Sequence, residues 1–311
     1  VRVIISEAAV LVTAFNRPEE TRNLLQSLCG VVSAPVYVAI DGPRLGNARD
    51  SELVSQVDEV VGDFGSDLRI TLIKRSMNLG CGASPREAIT EVLINESRVI
   101  VLEDDCLPSL DFLPWANELL NWYESNHHVG AICGFQSAPE DLVPQYKKWW
   151  ASRLFAGWGW ATWRRAWHGY QPDLTGWRSD ISLGTTYRYG ANSIAGMRWF
   201  RSNWDWVLGR DTDIWDHQFG YLLAKRNQVV VKPPVNLIEN VGTNEKATHT
   251  KVPSSVGSMA RSERLPVTAT EPGDLKVVTR ADRWVLKHDY QARSTAGWLS
   301  DVARSALRSK A

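Results

Sequence analysis

The chain has 311 residues, enough for one large catalytic domain or two small ones with a sizeable core. Apolar residues make up 44% and charged residues 23%, an ordinary globular composition, and no uninterrupted apolar run is long enough for a transmembrane helix. Thirty-five basic residues balance 35 acidic ones, and zero net charge argues against a dedicated nucleic-acid binder, which carries a basic excess.

In chain order, Ala8 to Thr13 is a short apolar run that reads as a strand. Pro18 opens a helical stretch carrying Leu24, Leu25 and Leu28, which stops at Gly30. Val36 to Ile40 is the next strand run and ends in the turn signal Asp41-Gly42-Pro43. Leu53, Val54, Val57, Val60 and Val61 recur at helical spacing, and Arg69 to Lys74 reads as strand. Ser84-Pro85-Arg86-Glu87 is a capping box with Pro at the first helical position, so a helix is expected to start there. Val99 to Leu102 is a strand that runs into Glu103-Asp104-Asp105; Asp111 to Tyr123 reads as helix and Val129 to Cys133 as strand. Strands spaced by roughly 30 residues with helices between them are the mark of βαβ units and a mostly parallel α/β sheet covered on both faces. In such sheets ligands bind beyond the carboxyl ends of the strands, where Asp41, Asn78 and the acidic triplet would converge.

The second half reads differently. Eleven of the 15 tryptophans fall between Trp149 and Trp215, and strand–helix alternation is lost there until Gln228 to Val231 and the Pro233-Pro234 break. Residues 253 to 275 read as a loop or linker, and Ala281 to Ala311 as a mildly basic helical tail. That tail carries Trp284, Trp298 and Leu299, which suit either a peripheral contact with an anionic membrane face or a packing helix. The N-terminus (Val1 to Ser6) lacks the basic flank and apolar centre of a signal peptide, and Cys29, Cys81, Cys106 and Cys133 show no zinc or redox spacing. Isolated thiols suit a reducing compartment, so a cytoplasmic location is expected.

Four stretches carry candidate chemistry. Three adjacent carboxylates at the end of a buried strand repel one another unless a cation or ordered donors relieve them. Mg²⁺ and Mn²⁺ favour one or two carboxylates plus phosphate oxygens, so Glu103-Asp104-Asp105 suits a metal–diphosphate complex; the alternatives are a solvated acidic turn or a helix cap by Asp104. Gly157 to Trp167 reads as a tryptophan-packed core in which one or two rings, Trp158 and Trp160, face a sugar acceptor. In Asp211 to Gln218, Asp216 beside Trp215 and His217 suits a general base, against helix N-capping by Asp213 or Asp216. Asn240-Val241-Gly242 precedes Ala247-Thr248-His249-Thr250, where His249 is either solvated or a partner of metal or phosphate. The remaining signals are negative: the P-loop, GxGxxG, GxSxG and HExxH patterns are missing.

Taken together, VTAFNRPEETRNLLQSL, AIDGPR, NLGCG, VLEDDCLPSLDFLPWANELL, GWGWATWRRAW, DIWDHQFGYLL and NLIENVG followed by ATHT run in order from residue 12 to 250, about three quarters of the chain. This combination resembles bacterial GT-A glycosyltransferases of the family 2-like, nucleotide-diphospho-sugar transferase type, and is more distantly similar to eukaryotic N-acetylglucosaminyltransferase I. The resemblance implies a GT-A fold over residues 1–250, with a nucleotide-sugar half (1–105) and an acceptor half (106–250), followed by the 251–311 loop and tail. It implies inverting, Mn²⁺- or Mg²⁺-dependent transfer from a nucleotide-diphospho-sugar to a carbohydrate or glycolipid hydroxyl, in cell-surface polysaccharide or glycolipid synthesis. By the family pattern Thr13, Phe15 and Arg17 line the nucleotide pocket, Asp41 accepts from the base, and Asn78 and Gly80 contact the donor. Glu103, Asp104 and Asp105 form a variant DXD motif in which Asp105 ligates the metal and Asp104 faces the ribose or sugar; Asp216 is the base, and His249 lies near the diphosphate or metal. The chain departs from the pattern after Gly242, where Thr243-Asn244-Glu245-Lys246 replaces a second glycine and an acidic residue. A sugar-phosphate nucleotidyltransferase is the alternative enzyme, although Val12 to Arg17 lacks the glycines it needs, and a non-catalytic carbohydrate-binding protein is the alternative of another class.

Overall fold

Apolar runs too short for helices and buried on both sides become the strands of one sheet. In the computed structural model, which describes residues 7–144, 149–210, 212–242, 260–262, 264–265 and 275–292, the first 103 residues alternate as expected. The order is β1 (Ala9–Ala14), α1 (Pro18–Leu28), β2 (Val36–Ile40), α2 (Ala48–Asp63), β3 (Ile70–Lys74), α3 (Gly80–Asn95) and β4 (Arg98–Glu103). Then come β5 (Cys106–Pro108), α4 (Phe112–Trp122), β6 (Val129–Cys133), β7 (Trp150–Ser152) and β8 (Trp160–Trp163). The short α5 (Arg164–Trp167) and α6 (Trp177–Asp180) precede α7 (Leu183–Tyr189), α8 (Ile194–Val207), α9 (Asp216–Lys225), β9 (Val229–Lys232), β10 (Ile238–Asn240) and α10 (Thr279–His288).

The main sheet has eight strands in the order β3-β2-β1-β4-β8-β6-β9-β7. β1 to β4 are parallel, with Thr13 paired to Glu103, and β6 and β9 are parallel to each other. β7 and β8 run antiparallel to their neighbours, so the sheet is mixed but mostly parallel. One apolar cluster joins Val10, Val12, Leu24, Val57 and Leu119 on the face covered by α1, α2 and α4. A second joins Leu11, Ile89, Val101 and Phe219 on the face covered by α3 and α9. β8 serves both, since alternation turns Trp160 to one cluster and Ala161 and Trp163 to the other. A third cluster packs Trp177, Tyr189 and Trp204 beneath α10. The pair β5–β10 forms a separate two-stranded sheet with Asn240 opposite Cys106.

Two expectations need correction, the start of α3 and the bounds of the tail helix. α3 starts at Gly80, not at Ser84, and Pro85 lies inside it. Its first turn is held from elsewhere: Asp41 accepts from the Leu79 and Gly80 N–H groups and Asp213 from that of Gly82. In the tryptophan-rich stretch strand–helix alternation gives way to helices after β8, and α7 and α8 pair there; Gly190 and Gly196 let them meet, a Cβ on Gly190 falling 2.2 Å from Met197 N. The tail is helical from Thr279 to His288 and packs through Ala281, Asp282, Val285 and Leu286. Trp284 stacks on His288; Trp298, Leu299 and most of 253–275 lie outside the described residues.

Candidate functional site

The carboxyl ends of β1, β2 and β4 open on one edge of the sheet. At the end of β4, Asp104 and Asp105 are buried and Glu103 is half-buried. The chain turns here because the Asp104 N–H donates to Thr13 O (2.9 Å), while the Phe15 N–H donates to Asp104 Oδ2 (3.3 Å). Arg17, just before α1, sends its Nη1 between two carboxylates, 3.0 Å from Asp104 Oδ1 and 2.5 Å from Asp105 Oδ2. Burial opposes its charge, yet the two carboxylates outweigh burial and hold the guanidinium above its ordinary range. Burial, then Asp105, Asp104 and Asp216, push the Glu103 carboxyl well above the usual carboxylate range. Burial likewise lifts Asp104 to about 7 against the opposing pull of Arg17.

Asp105 is fixed from behind. Its Oδ1 accepts from Asn240 Nδ2 (3.3 Å), its carbonyl from the Val241 N–H (2.9 Å), and Asn240 Oδ1 takes the Gly242 N–H (2.9 Å). A Cβ on Gly242 would lie 1.9 Å from Asp105 Oδ2, so only glycine fits there. Asn240 is thus a site residue whose role the sequence did not disclose; the Asn240-Val241-Gly242 run was its visible signal.

Glu103, Asp105 and Cys106 bring one ligand atom each within 4.8 Å of one another. Burial first, then Asp105 and Glu103, push the Cys106 thiol well above its ordinary range, and a sulfur donor is too soft for Mg²⁺ or Mn²⁺. The usable donor set is therefore two carboxylates, hard oxygens that fit Mg²⁺ or Mn²⁺ completed by phosphate oxygens and water. His249 lies outside the described residues.

Asp41, Asn78 and Gly80 form one network. Asp41 is buried and accepts from the Gly42, Leu79 and Gly80 N–H groups (2.9, 2.9 and 3.0 Å) and from Asn78 Nδ2 (2.9 Å). Burial raises its carboxyl, opposed by these backbone donors. Its oxygens secure the turn into α3, in which Gly80 has φ +84°. Thr13 and Phe15 are half-buried at the mouth, with the Arg44 guanidinium 5.5 Å over the Phe15 ring. Asp213 was not expected to take part: its Oδ1 accepts from the Gly82 N–H at 2.7 Å, tying the approach to α9 onto the start of α3.

Asp216 is the first residue of α9, and its Oδ1 accepts from the His217 N–H (3.0 Å). Neither Asp213 nor Asp216 caps α9. After burial, the Asp216 charge helps to raise the Glu103 carboxyl and the Tyr170 and Tyr290 hydroxyls, so Asp216 lies within electrostatic reach of all three. Tyr170 Oη donates to Trp215 O (3.0 Å) and Trp215 stacks on Trp160 (5.3 Å, 24°), which anchors the start of α9. Trp160 is wholly buried, so its expected acceptor role is corrected: the ring is core. Trp158 is half-buried, packs against the main apolar cluster and is edge-on to Phe135 at 4.8 Å. A further wall was not foreseen: Tyr290, past α10, stacks on Trp199 (4.6 Å, 19°) and donates to Phe155 O (3.0 Å), with His217 5.7 Å from Trp199.

No protein-family model matches the sequence, and no curated protein registers as a relative. Among solved structures, the chain is similar to GalNAc-T7 with UDP, GalNAc and Mn²⁺, at 10% identity and a TM-score of 0.37, over 74% of this chain and 43% of that one. It is also similar to UDP-glucose pyrophosphorylase complexed with UDP-glucose, at 10% identity and a TM-score of 0.35, over 73% of this chain and 90% of that one. The chain thus spans less than half of GalNAc-T7. Likeness this remote is one of partial shape, and function has to be read from the site's own residues.

Proposed function

We propose that the chain is a glycosyltransferase of the GT-A type that moves a sugar, with inversion, from a nucleoside-diphosphate donor to a carbohydrate or glycolipid hydroxyl. What supports this reading is the placement of Glu103, Asp104, Asp105 and Arg17 at one edge of a mostly parallel sheet, with Asp216 within electrostatic reach of Glu103. A stable fold gains nothing from so many carboxylates; a donor diphosphate that arrives with a cation does use them.

Thr13 and Phe15 bound the space for the base, and Asp41 preorganises the 78–80 turn beside it. A bound Mn²⁺ or Mg²⁺ held by Glu103 and Asp105 would stabilise the negative charge of the departing diphosphate. Asp216 accepts the acceptor's hydroxyl proton as that oxygen bonds to the anomeric carbon; the bond from that carbon to the phosphate oxygen breaks, and its electron pair leaves with the diphosphate. Trp158 offers an aromatic face to the acceptor sugar. No helix among the described residues is long and apolar enough to cross a membrane.

The test is a panel of nucleotide sugars with Mn²⁺, scored for release of nucleoside diphosphate. Asp216→Asn should lower turnover by about 10²-fold or more with donor affinity kept, the usual worth of a general base. Normal turnover in that variant would remove Asp216 from the role. Formation of nucleoside triphosphate from pyrophosphate would assign a nucleotidyltransferase instead.

A further inference from the structure

The acidic corner is already bridged by a cation belonging to the chain. One nitrogen of Arg17 reaches both Asp104 Oδ1 (3.0 Å) and Asp105 Oδ2 (2.5 Å). Asp105 has no third oxygen to offer. Its Oδ1 is tied to Asn240 and lies 3.6 Å from Cys106 Sγ, and its Oδ2 is backed by Gly242. A divalent cation held by Glu103 and Asp105 would thus sit against the guanidinium and compete with it for the same carboxylate. Arg17 is the more exposed partner, its side chain 23% exposed against 8% and 10% for the two aspartates. Its backbone stays anchored to α1 through its carbonyl, which accepts from the Thr21 N–H and hydroxyl. A guanidinium released beside a diphosphate finds a planar, bidentate match for phosphate oxygens.

We propose that Arg17 is a positioning residue that stands in for the divalent cation in the ligand-free protein and transfers to the donor's diphosphate when the cation takes Asp105. This rests on the donor reading above. It makes cation and diphosphate bind cooperatively, each favouring the arrangement that the other needs, and the coupling is reciprocal.

The test titrates Mn²⁺ alone, by calorimetry and by the free-Mn²⁺ paramagnetic signal, into the wild type, Arg17→Gln and Arg22→Gln. Arg22 lies on the same helix, paired with exposed Asp63, and serves as the control. Arg17→Gln should bind Mn²⁺ alone at least tenfold more tightly than the wild type and Arg22→Gln should not; an unchanged or weaker affinity in Arg17→Gln overturns the proposal. Should that variant fail to fold, the wild type decides: the Arg17 Nε–H resonance must shift on adding Mg²⁺ with inorganic pyrophosphate, and a fixed resonance overturns the proposal. Pyrophosphate that binds the wild type under no metal condition would overturn the donor reading and the transfer of Arg17 to the diphosphate with it, while the Mn²⁺-alone comparison still decides the competition for Asp105.

Discussion

Replacing Asp104 by asparagine separates the electrostatic cost of the acidic corner from its shape. Burial lifts the Asp104 carboxyl from 3.8 to about 7, with Arg17 pulling the other way. The folded protein therefore keeps a proton there over a range in which the unfolded chain has lost it. Below pH 3.8 both states are protonated and the group costs nothing; the cost grows up to about 7 and is constant above it. Stability thus falls as pH rises through this window. At ~1.4 kcal/mol per pH unit, going from pH 5.5 to 8 counts for about 1.5 units and removes ~2 kcal/mol. With an unfolding entropy of ~2.1 cal/mol/K per residue, that is a fall in Tm of ~3 °C for a chain of this length. Asp41, Asp282 and Asp289 are shifted in the same direction and add a background slope common to both proteins, while Glu103, raised by burial and in part by Asp104, relaxes in the variant and adds to the difference. Calorimetry in EDTA from pH 5.5 to 8 should therefore show a shallower fall in Asp104→Asn than in the wild type, by about 3 °C on the same basis. Mn²⁺ should flatten the wild-type fall, since it would compete with the proton on Glu103 and so favour the folded state more as pH rises. Equal slopes in the two proteins would refute the reasoning.

Two contrasts follow from packing. Trp160→Ala empties a wholly buried site against Phe155, Trp215 and Phe219 and should cost ~3–5 kcal/mol in denaturant unfolding, whereas Trp158→Ala should stay within ~1 kcal/mol and instead raise the acceptor KM. Gly242→Ala places a methyl 1.9 Å from Asp105 Oδ2, so Asp105 must move. The expected outcome is a loss of ~1–3 kcal/mol in thermal unfolding together with Mn²⁺ affinity weakened at least tenfold by calorimetry, and unchanged Mn²⁺ affinity would show that Asp105 is not a ligand.

Legibility followed the range of the interactions. Strands β1, β2, β3, β4 and β6 were readable because each is a short apolar run flanked by turn residues, and β2 and β6 matched to the residue. The acidic triplet was readable because it follows such a run. The start of α3 was not, because its first turn is held by Asp41 and Asp213, the latter 131 positions away, and local capping signals at Ser84 pointed to a false start. β8 escaped notice because four residues carry too little periodicity, and its Trp160 and Trp163 are core on opposite faces. Composition could say that most of the tryptophans pack, but only the register of β8 decides that Trp160 is interior. The pairing of Asn240 with Asp105 depends on β5 meeting β10, a contact across 135 residues.

The two sides of the crevice differ in how they are built, and that difference bears on their roles. The β4 side is held by ionic and backbone groups: Arg17 and Asn240 pin the carboxylates, and Asp41 locks the adjacent turn. Such contacts fix direction to within a hydrogen bond and leave a residual negative charge, a suitable setting for a partner that brings positive charge with it. Near the start of α9 the contacts are aromatic instead: Trp215 stacks on Trp160, and Trp199 stacks on Tyr290, which feels the Asp216 charge. A base there needs a low-water setting and a partner with apolar C–H faces, the character of a sugar. On the proposed reading, the ionic half would take the diphosphate and the aromatic half the acceptor. The β4 strand and the start of α9 bring the two halves together at Glu103, which feels the charge of both Asp105 and Asp216.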